Sequence, residues 1–250
     1  MSGVDELSLV RLMSLVVFTV AAWSTWTRRA TFHSRFDAGI TAAAALFGIG
    51  ALLDAPWSVC ATASVPFTGR YYGLMVVAHL CFLAGATASI ASVYMRLLPA
   101  DEFRRIMRTW IVPVAVGSAA IMITTFLMSS LPFAYSVPHL YLATPDTALS
   151  LYWYATFGSA GALGGFVSYG VFLLRGDPRS VMGNLMLASA VLASLGCVLV
   201  VGWGMISGSI VVLHHVAWFG GYTGFAGFAL AAGVQWRHRE RSRPRSPHNS

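Results

Sequence analysis

The sequence predicts an all-α membrane protein, a polytopic bundle of seven transmembrane helices. Of its 250 residues, 57% are hydrophobic and 10% are charged, and the mean hydropathy is +0.69. A soluble domain carries about 25% charged residues. Residues 149–174 contain no charge, and a helix of that length would extend about 39 Å, enough to cross the roughly 30 Å hydrocarbon core of a bilayer.

The first four predicted spans cover residues 8–26, 38–57, 71–98 and 110–127. Pro56 and Trp57 mark the end of span 2, because proline interrupts helical hydrogen bonding and tryptophan favours the membrane interface. Pro113 is compatible with the first turn of span 4, where a missing N–H is tolerated. The charged residues before span 4 predict a separate short turn of helix.

The last three predicted spans cover residues 149–174, 181–205 and 210–236. Tyr152, Trp153 and Tyr154 at the start of span 5 are typical of aromatic anchors at the headgroup level. Residues 237–250 are rich in Arg, Ser and Pro and predict a disordered basic cytoplasmic tail, beyond a transmembrane domain at 1–236.

The arginines alternate along the chain and predict how it crosses the membrane. Fourteen of the 16 arginines follow predicted spans 1, 3, 5 and 7, whereas the opposite side has only Arg11 and Arg70. The positive-inside rule therefore predicts an external N-terminus, a cytoplasmic C-terminus and location in the cell membrane. We expect lipid as the main partner, anionic lipid at the cytoplasmic arginines, and no nucleic acid. A protein partner in the membrane or cytoplasm is a further expectation.

Four ionisable residues fall inside or at the ends of predicted spans: Asp54, His79, His214 and His215. Such residues are costly in a membrane, so each is a candidate ligand-binding residue. Counted from the span ends, all four lie in the outer half of the membrane. They can form a polar pocket that water reaches from outside, or they can hydrogen-bond neighbouring helices without binding a ligand.

The sequence contains no motif that indicates an enzyme, a metal site or a cofactor. His79 with His214 or His215 could place two imidazoles around a haem, but the pattern is weak. Gly-x-Ser-x-Gly, Walker and dinucleotide-binding motifs are absent, and so is metal-ligand spacing of His and Cys. We therefore predict no enzymatic activity, no cofactor and no metal.

Two glycine pairs have the small-x-x-x-small spacing that lets helices approach closely. These are Gly161 and Gly165 in span 5, and Gly220 and Gly224 in span 7. Packing within one chain is the predicted use, and a homodimer face is the alternative.

The layout resembles an uncharacterised actinobacterial family of seven-helix integral membrane proteins, many of which carry a transporter label. The resemblance lies in the arginine-rich first turn, the segment from Tyr141 to Pro145 before span 5, and the basic tail. It implies the seven-span fold, and no functional residue follows from it.

Three functions remain open on the sequence. The first is a non-enzymatic sensor or regulatory membrane component that passes an external event to a cytoplasmic partner. The second is a small-solute transporter or permease, favoured by the ionisable residues in the spans. The third is a prophage-type or defence membrane protein that acts on cell-envelope events.

Overall fold

The computed structural model describes residues 3–34, 36–55, 70–129, 146–175, 180–207 and 214–242. Within these ranges every regular element is helical, which confirms the all-α prediction. A short 3-10 helix, Arg29–His33, follows the first α-helix. The α-helices are α1 Gly3–Thr27, α2 Ala38–Asp54, α3 Arg70–Leu97, α4 Ala100–Ile106, α5 Val112–Met128, α6 Thr147–Leu174, α7 Val181–Ser207 and α8 His214–Ser242.

Five helices, α2, α3, α6, α7 and α8, surround the centre of the bundle. Going round, α2 packs on α3, α3 on α6, α6 on α7 and α7 on α8, and α8 returns to α2. Helix α1 covers the seam between α2 and α8, whereas α5 packs outside against α6 and α3. The central helices therefore converge on an interior that α1 does not line.

The described helices include five that are long and apolar enough to cross a membrane. They correspond to predicted spans 1, 3, 4, 5 and 6. Ala38–Asp54 is apolar but has 17 residues, about 25 Å of helix. Ala55 of predicted span 2 has an extended backbone, and Pro56 and Trp57 lie outside the described residues. Helix α8, His214–Ser242, is not among the five, and residues 210–213 of predicted span 7 lie outside the described residues. The protein is thus a membrane protein, and the count of seven stays a prediction.

The charged segment before span 4 does not form a separate turn, so that prediction is wrong. Helix α4 continues into α5 through a π-helical segment, Met107–Ile111, and Ala100–Met128 forms one rod. Pro113 lies in the first turn of α5 and has no N–H to donate to the preceding turn. A wider turn at this point accommodates the missing hydrogen bond without ending the helix.

The first part of the predicted disordered tail is helical, so the prediction is wrong for these residues. Helix α8 continues through Trp236 to Ser242, so residues 237–242 are helical and not disordered. Arg237 lies against the ring of Trp23 in α1, with 5.1 Å between its guanidinium carbon and the ring centroid. Arginine and glutamate are good helix formers, and this contact holds the last turns of α8 against the bundle.

Glycines bring α7 and α8 together as the sequence predicted for span 7. A Cβ on Gly224 would lie 2.5 Å from the Ser189 carbonyl oxygen, and one on Gly220 would lie 2.9 Å from that of Leu192. In span 5, a Cβ on Gly161 would touch Val198 of α7 at 3.0 Å. These three glycines permit close backbone approach.

Gly165 does not pack against another helix, so this part of the prediction is wrong. It is exposed on α6, and a Cβ there would meet nothing within 4 Å. The contact with α7 passes instead through Gly164, where a Cβ would lie 2.8 Å from Cβ of Ser194. A contact between two copies of the chain at Gly165 stays a prediction.

Alanine substitution should separate these two kinds of glycine. We expect Gly224→Ala to lower the free energy of unfolding by about 1–3 kcal/mol, because the new methyl group overpacks the α7 backbone. Gly165→Ala is the matched control and should leave stability unchanged or raise it by up to about 1 kcal/mol, since alanine favours helix. Thermal unfolding of both variants in detergent measures the difference. Equal effects would contradict the packing of Gly224.

Candidate functional site

Two of the four predicted site residues meet between α2 and α3. Asp54 is the last residue of α2, and its Oδ1 lies 3.6 Å from Nε2 of His79 in α3. The two residues are 1% and 4% exposed. Asp54 and His79 therefore lie close together, as predicted. Both side chains are buried, so the prediction of a pocket in which water reaches them is wrong.

Two tyrosines extend this pair into a chain of four polar side chains from four helices. The Tyr222 hydroxyl in α8 donates a hydrogen bond of 2.8 Å to Asp54 Oδ2. The Tyr152 hydroxyl in α6 lies 2.5 Å from His79 Nδ1. We call Asp54, His79, Tyr152 and Tyr222 the interhelical network. It joins α2, α3, α6 and α8 within the bundle.

Aromatic rings enclose the network. Trp153 meets the His79 imidazole edge to face, with centroids 5.6 Å apart, and Phe82 lies 6.2 Å from the same ring. Trp218 packs on Tyr222 at 4.5 Å and places its indole beside the Asp54 carboxylate. Because these rings keep water out, the local dielectric is low and each polar contact in the network is correspondingly strong.

Sequence reasoning missed both tyrosines of the network. Tyr152 and Trp153 were predicted to lie at the headgroup level, but both are buried in the bundle. Tyr222 was not singled out at all. A buried tyrosine hydroxyl usually has a hydrogen-bond partner. Tyrosines in the predicted spans could therefore have been considered as partners of Asp54 and His79.

The histidines at the start of α8 do not complete the predicted pocket. His215 is exposed and shares a groove on the outer face of α7 and α8 with Leu195 and Phe219. Its placement in a pocket with His79, or around a haem with His79, is therefore wrong. The side chain of His214 lies outside the described residues. Among the described residues, no cluster of His, Cys, Asp and Glu could hold a metal ion.

A cavity of about 110 Å³ lies beside the network, between the five central helices. His79 and Tyr222 form part of its wall, and most of the remaining wall is apolar or aromatic. The hydroxyls of Ser89, Thr156 and Ser159 also face this space but donate to carbonyls of their own helices. The wall therefore offers a ligand mainly apolar contacts, with a polar edge at His79.

The size of this cavity limits what it can hold. An engineered cavity of about 150 Å³ lined by apolar side chains binds benzene or xenon and stays free of water. The cavity here is slightly smaller and similarly lined. It fits a small apolar group or the apolar part of a larger molecule better than a hydrated ion.

No protein-family model, curated protein or solved structure matches this chain. The resemblance to the actinobacterial family consequently stays a prediction, and the functional argument depends on the geometry of the site.

Removal of the Tyr222 hydroxyl should destabilise the protein. Tyr222→Phe leaves Asp54 Oδ2 buried without this donor, so we expect a loss of about 1–3 kcal/mol in the free energy of unfolding. Tyr169→Phe is the matched control, because Tyr169 is 60% exposed on α6 and its variant should unfold like the wild type. Thermal unfolding in detergent provides the measurement. A Tyr222→Phe variant as stable as the control would show that the network contributes little.

Proposed function

We propose that the protein crosses the cell membrane seven times, with its N-terminus outside and its C-terminus in the cytoplasm. The positions of the arginines support this topology. Arg28 after α1, Arg96 in α3, Arg175 after α6 and Arg239 in α8 line a single pocket at one end of the bundle. The positive-inside rule assigns that end to the cytoplasm.

Single cysteines test this topology. In a Cys60→Ala background, which removes the native cysteine of a predicted outer stretch, we expect Ser136→Cys to react with an impermeant thiol reagent on intact cells. Asp101→Cys should react only after the cells are permeabilised. Labelling of residue 101 and protection of residue 136 on intact cells would reverse the proposed orientation.

The activity we propose is that of a non-enzymatic sensor, which couples a change at the outer half of the membrane to a cytoplasmic partner. The observation that carries this proposal is the buried interhelical network. Asp54 and His79 can each change protonation, and they contact one another and tyrosines on two further helices. A proton gained or lost there, or a ligand entering the adjacent cavity, would alter contacts shared by four helices at once.

The cavity indicates the class of ligand that such a sensor would bind. Its largely apolar wall, with His79 and Tyr222 at one side, suits a small amphipathic molecule with one hydrogen-bonding group. Ligand binding would move α3, α6 and α8, and their inner ends would carry this change to the cytoplasmic side. Each of these helices has a network residue near one end and an arginine at or just after the other.

Cavity filling tests this proposal. Ala190 is buried in the cavity wall, so Ala190→Leu should occupy part of the space and weaken binding of xenon, measured by xenon NMR, about tenfold or more. Ala120→Leu on the exposed face of α5 is the matched control and should bind xenon like the wild type. Equal xenon binding by the wild type and Ala190→Leu would contradict a ligand-accessible cavity.

Distance measurements test whether the interhelical network is coupled to the cytoplasmic end of the bundle. Spin labels on Asp101→Cys and Glu240→Cys would report the separation of the inner ends of α4 and α8. We expect Asp54→Asn to shift their distance distribution, because it changes the contacts of α2 with α3 and α8, whereas Tyr169→Phe should leave it unchanged. An identical distribution in all three proteins would exclude a sensor that works through this network.

One observation favours the alternative of a small-solute transporter. The central cavity and the arginine-lined pocket both have walls on α3 and α8. About one helical turn separates them on each helix, from Ser89 to Val93 and from Phe228 to Ala232. Movement of this apolar layer would connect the two spaces. Solute or proton flux in proteoliposomes that is lost in His79→Gln would favour transport over sensing.

A further inference from the structure

A second pocket, of about 230 Å³, lies at the arginine-rich end of the bundle, between the turn after α1 and helices α3, α6, α7 and α8. We call it the inner pocket. Its wall includes four arginines and one carboxylate: Arg28, Arg96, Arg175, Arg239 and Asp37. The interhelical network lies at the other end of the same helices, so the two sites are separate.

Arg28 is built into the wall of this pocket. Its side chain is 5% exposed, and its Nε donates to Thr41 Oγ1 and its Nη1 to the Ala232 carbonyl, both at 3.1 Å. The pKa of Arg28 is lowered to about 10, mainly by burial; the charge of Asp37 opposes this shift, and the positive charges of Arg96 and Arg239 add to it. Arg28 therefore remains charged at neutral pH.

Asp37 is shared between two of the arginines. Its Oδ1 lies 3.6 Å from Nη2 of Arg28 and also accepts a short hydrogen bond from Arg96. Arg175 donates to the neutral Oδ1 of Asn184 at 3.3 Å. Among the described residues that line the pocket, one carboxylate thus faces four guanidinium groups, and the excess of positive charge is three.

Topology alone does not require this arrangement. Arginines that only set orientation can lie anywhere near the membrane surface, as Arg105 does with its side chain 76% exposed. Here guanidinium groups from four different parts of the chain converge on one concave space. Burial of Arg28 and repulsion between like charges both cost free energy, and a bound anion would offset those costs.

We propose that the inner pocket binds a phosphate-bearing anion. Arg175 and Arg239 would contact it directly, since a guanidinium group presents parallel N–H donors that match phosphate oxygens. The fixed trio of Arg28, Asp37 and Arg96 would form the back of the site. Two sources share this chemistry, namely the headgroup of an anionic phospholipid and a soluble phosphate compound. Trp236 and Met186 supply apolar surface for the part of the molecule next to the phosphate.

Binding to the full-length protein in neutral detergent at constant ionic strength tests this proposal. The probes are dioctanoyl phosphatidylglycerol, dioctanoylglycerol as its phosphate-free counterpart, and inorganic phosphate. Arg175→Gln and Arg239→Gln each remove one donor and leave the Arg28–Asp37–Arg96 contacts intact. Arg105→Gln is the matched control, because it removes one positive charge from the same end of the molecule but outside the pocket.

We expect phosphatidylglycerol to bind more tightly than dioctanoylglycerol, and each pocket variant to weaken it about fivefold, while Arg105→Gln changes it less than twofold. Failure of inorganic phosphate to compete would identify the lipid as the source, and competition would identify a soluble phosphate compound. If neither phosphate-bearing probe binds, or if Arg105→Gln weakens binding as much as Arg239→Gln, the proposal is overturned.

Discussion

The arrangement of the bundle depends on a carboxylate buried in it. Asp54 ends α2 among aromatic rings, where an unpaired charge or polar group would cost several kcal/mol. Tyr222 reaches it from α8 and His79 from α3, and His79 in turn contacts Tyr152 of α6. These contacts fix the rotation of four helices about their axes. Apolar packing alone specifies that rotation weakly, because an apolar helix face is as stable against lipid tails as against another helix.

The all-α fold and its long apolar helices could be predicted from hydropathy, because hydropathy reports directly which stretches of the chain lipid can surround. The continuity of the helix over Ala100–Met128 could not be predicted. Pro113 marks a local irregularity, but the sequence does not reveal that a π-helical segment accommodates it without ending the helix. The helical part of the tail was also missed; its Arg237 contacts Trp23 of α1, and such a contact cannot be read from the composition of the tail.

The candidate site was partly predictable for a related reason. Asp54 and His79 are ionisable residues at similar depth, and the cost of burying each one favours their meeting. Depth along a helix can be counted from the sequence, but the direction of a side chain cannot when the helix is apolar on most faces. The sequence therefore predicts His215 in a pocket, whereas its side chain is exposed. It predicts Tyr152 as an anchor at the headgroup level, whereas Tyr152 is buried in the bundle, and it predicts a helix contact at Gly165, whereas a Cβ there would meet nothing within 4 Å.

The contacts of Arg28 have a consequence for the order in which the chain is made. This residue follows the first helix, yet its guanidinium group donates to the carbonyl of Ala232 in the last one and shares Asp37 with Arg96 of α3. During synthesis the first turn emerges long before Arg96, and almost the entire chain must follow before Ala232 exists. The hairpin of α1 and α2 therefore exists before the partners of its first turn have been made. Closure of that turn by Arg28 belongs to the last stage of folding, although the turn itself is among the first parts of the chain to be synthesised.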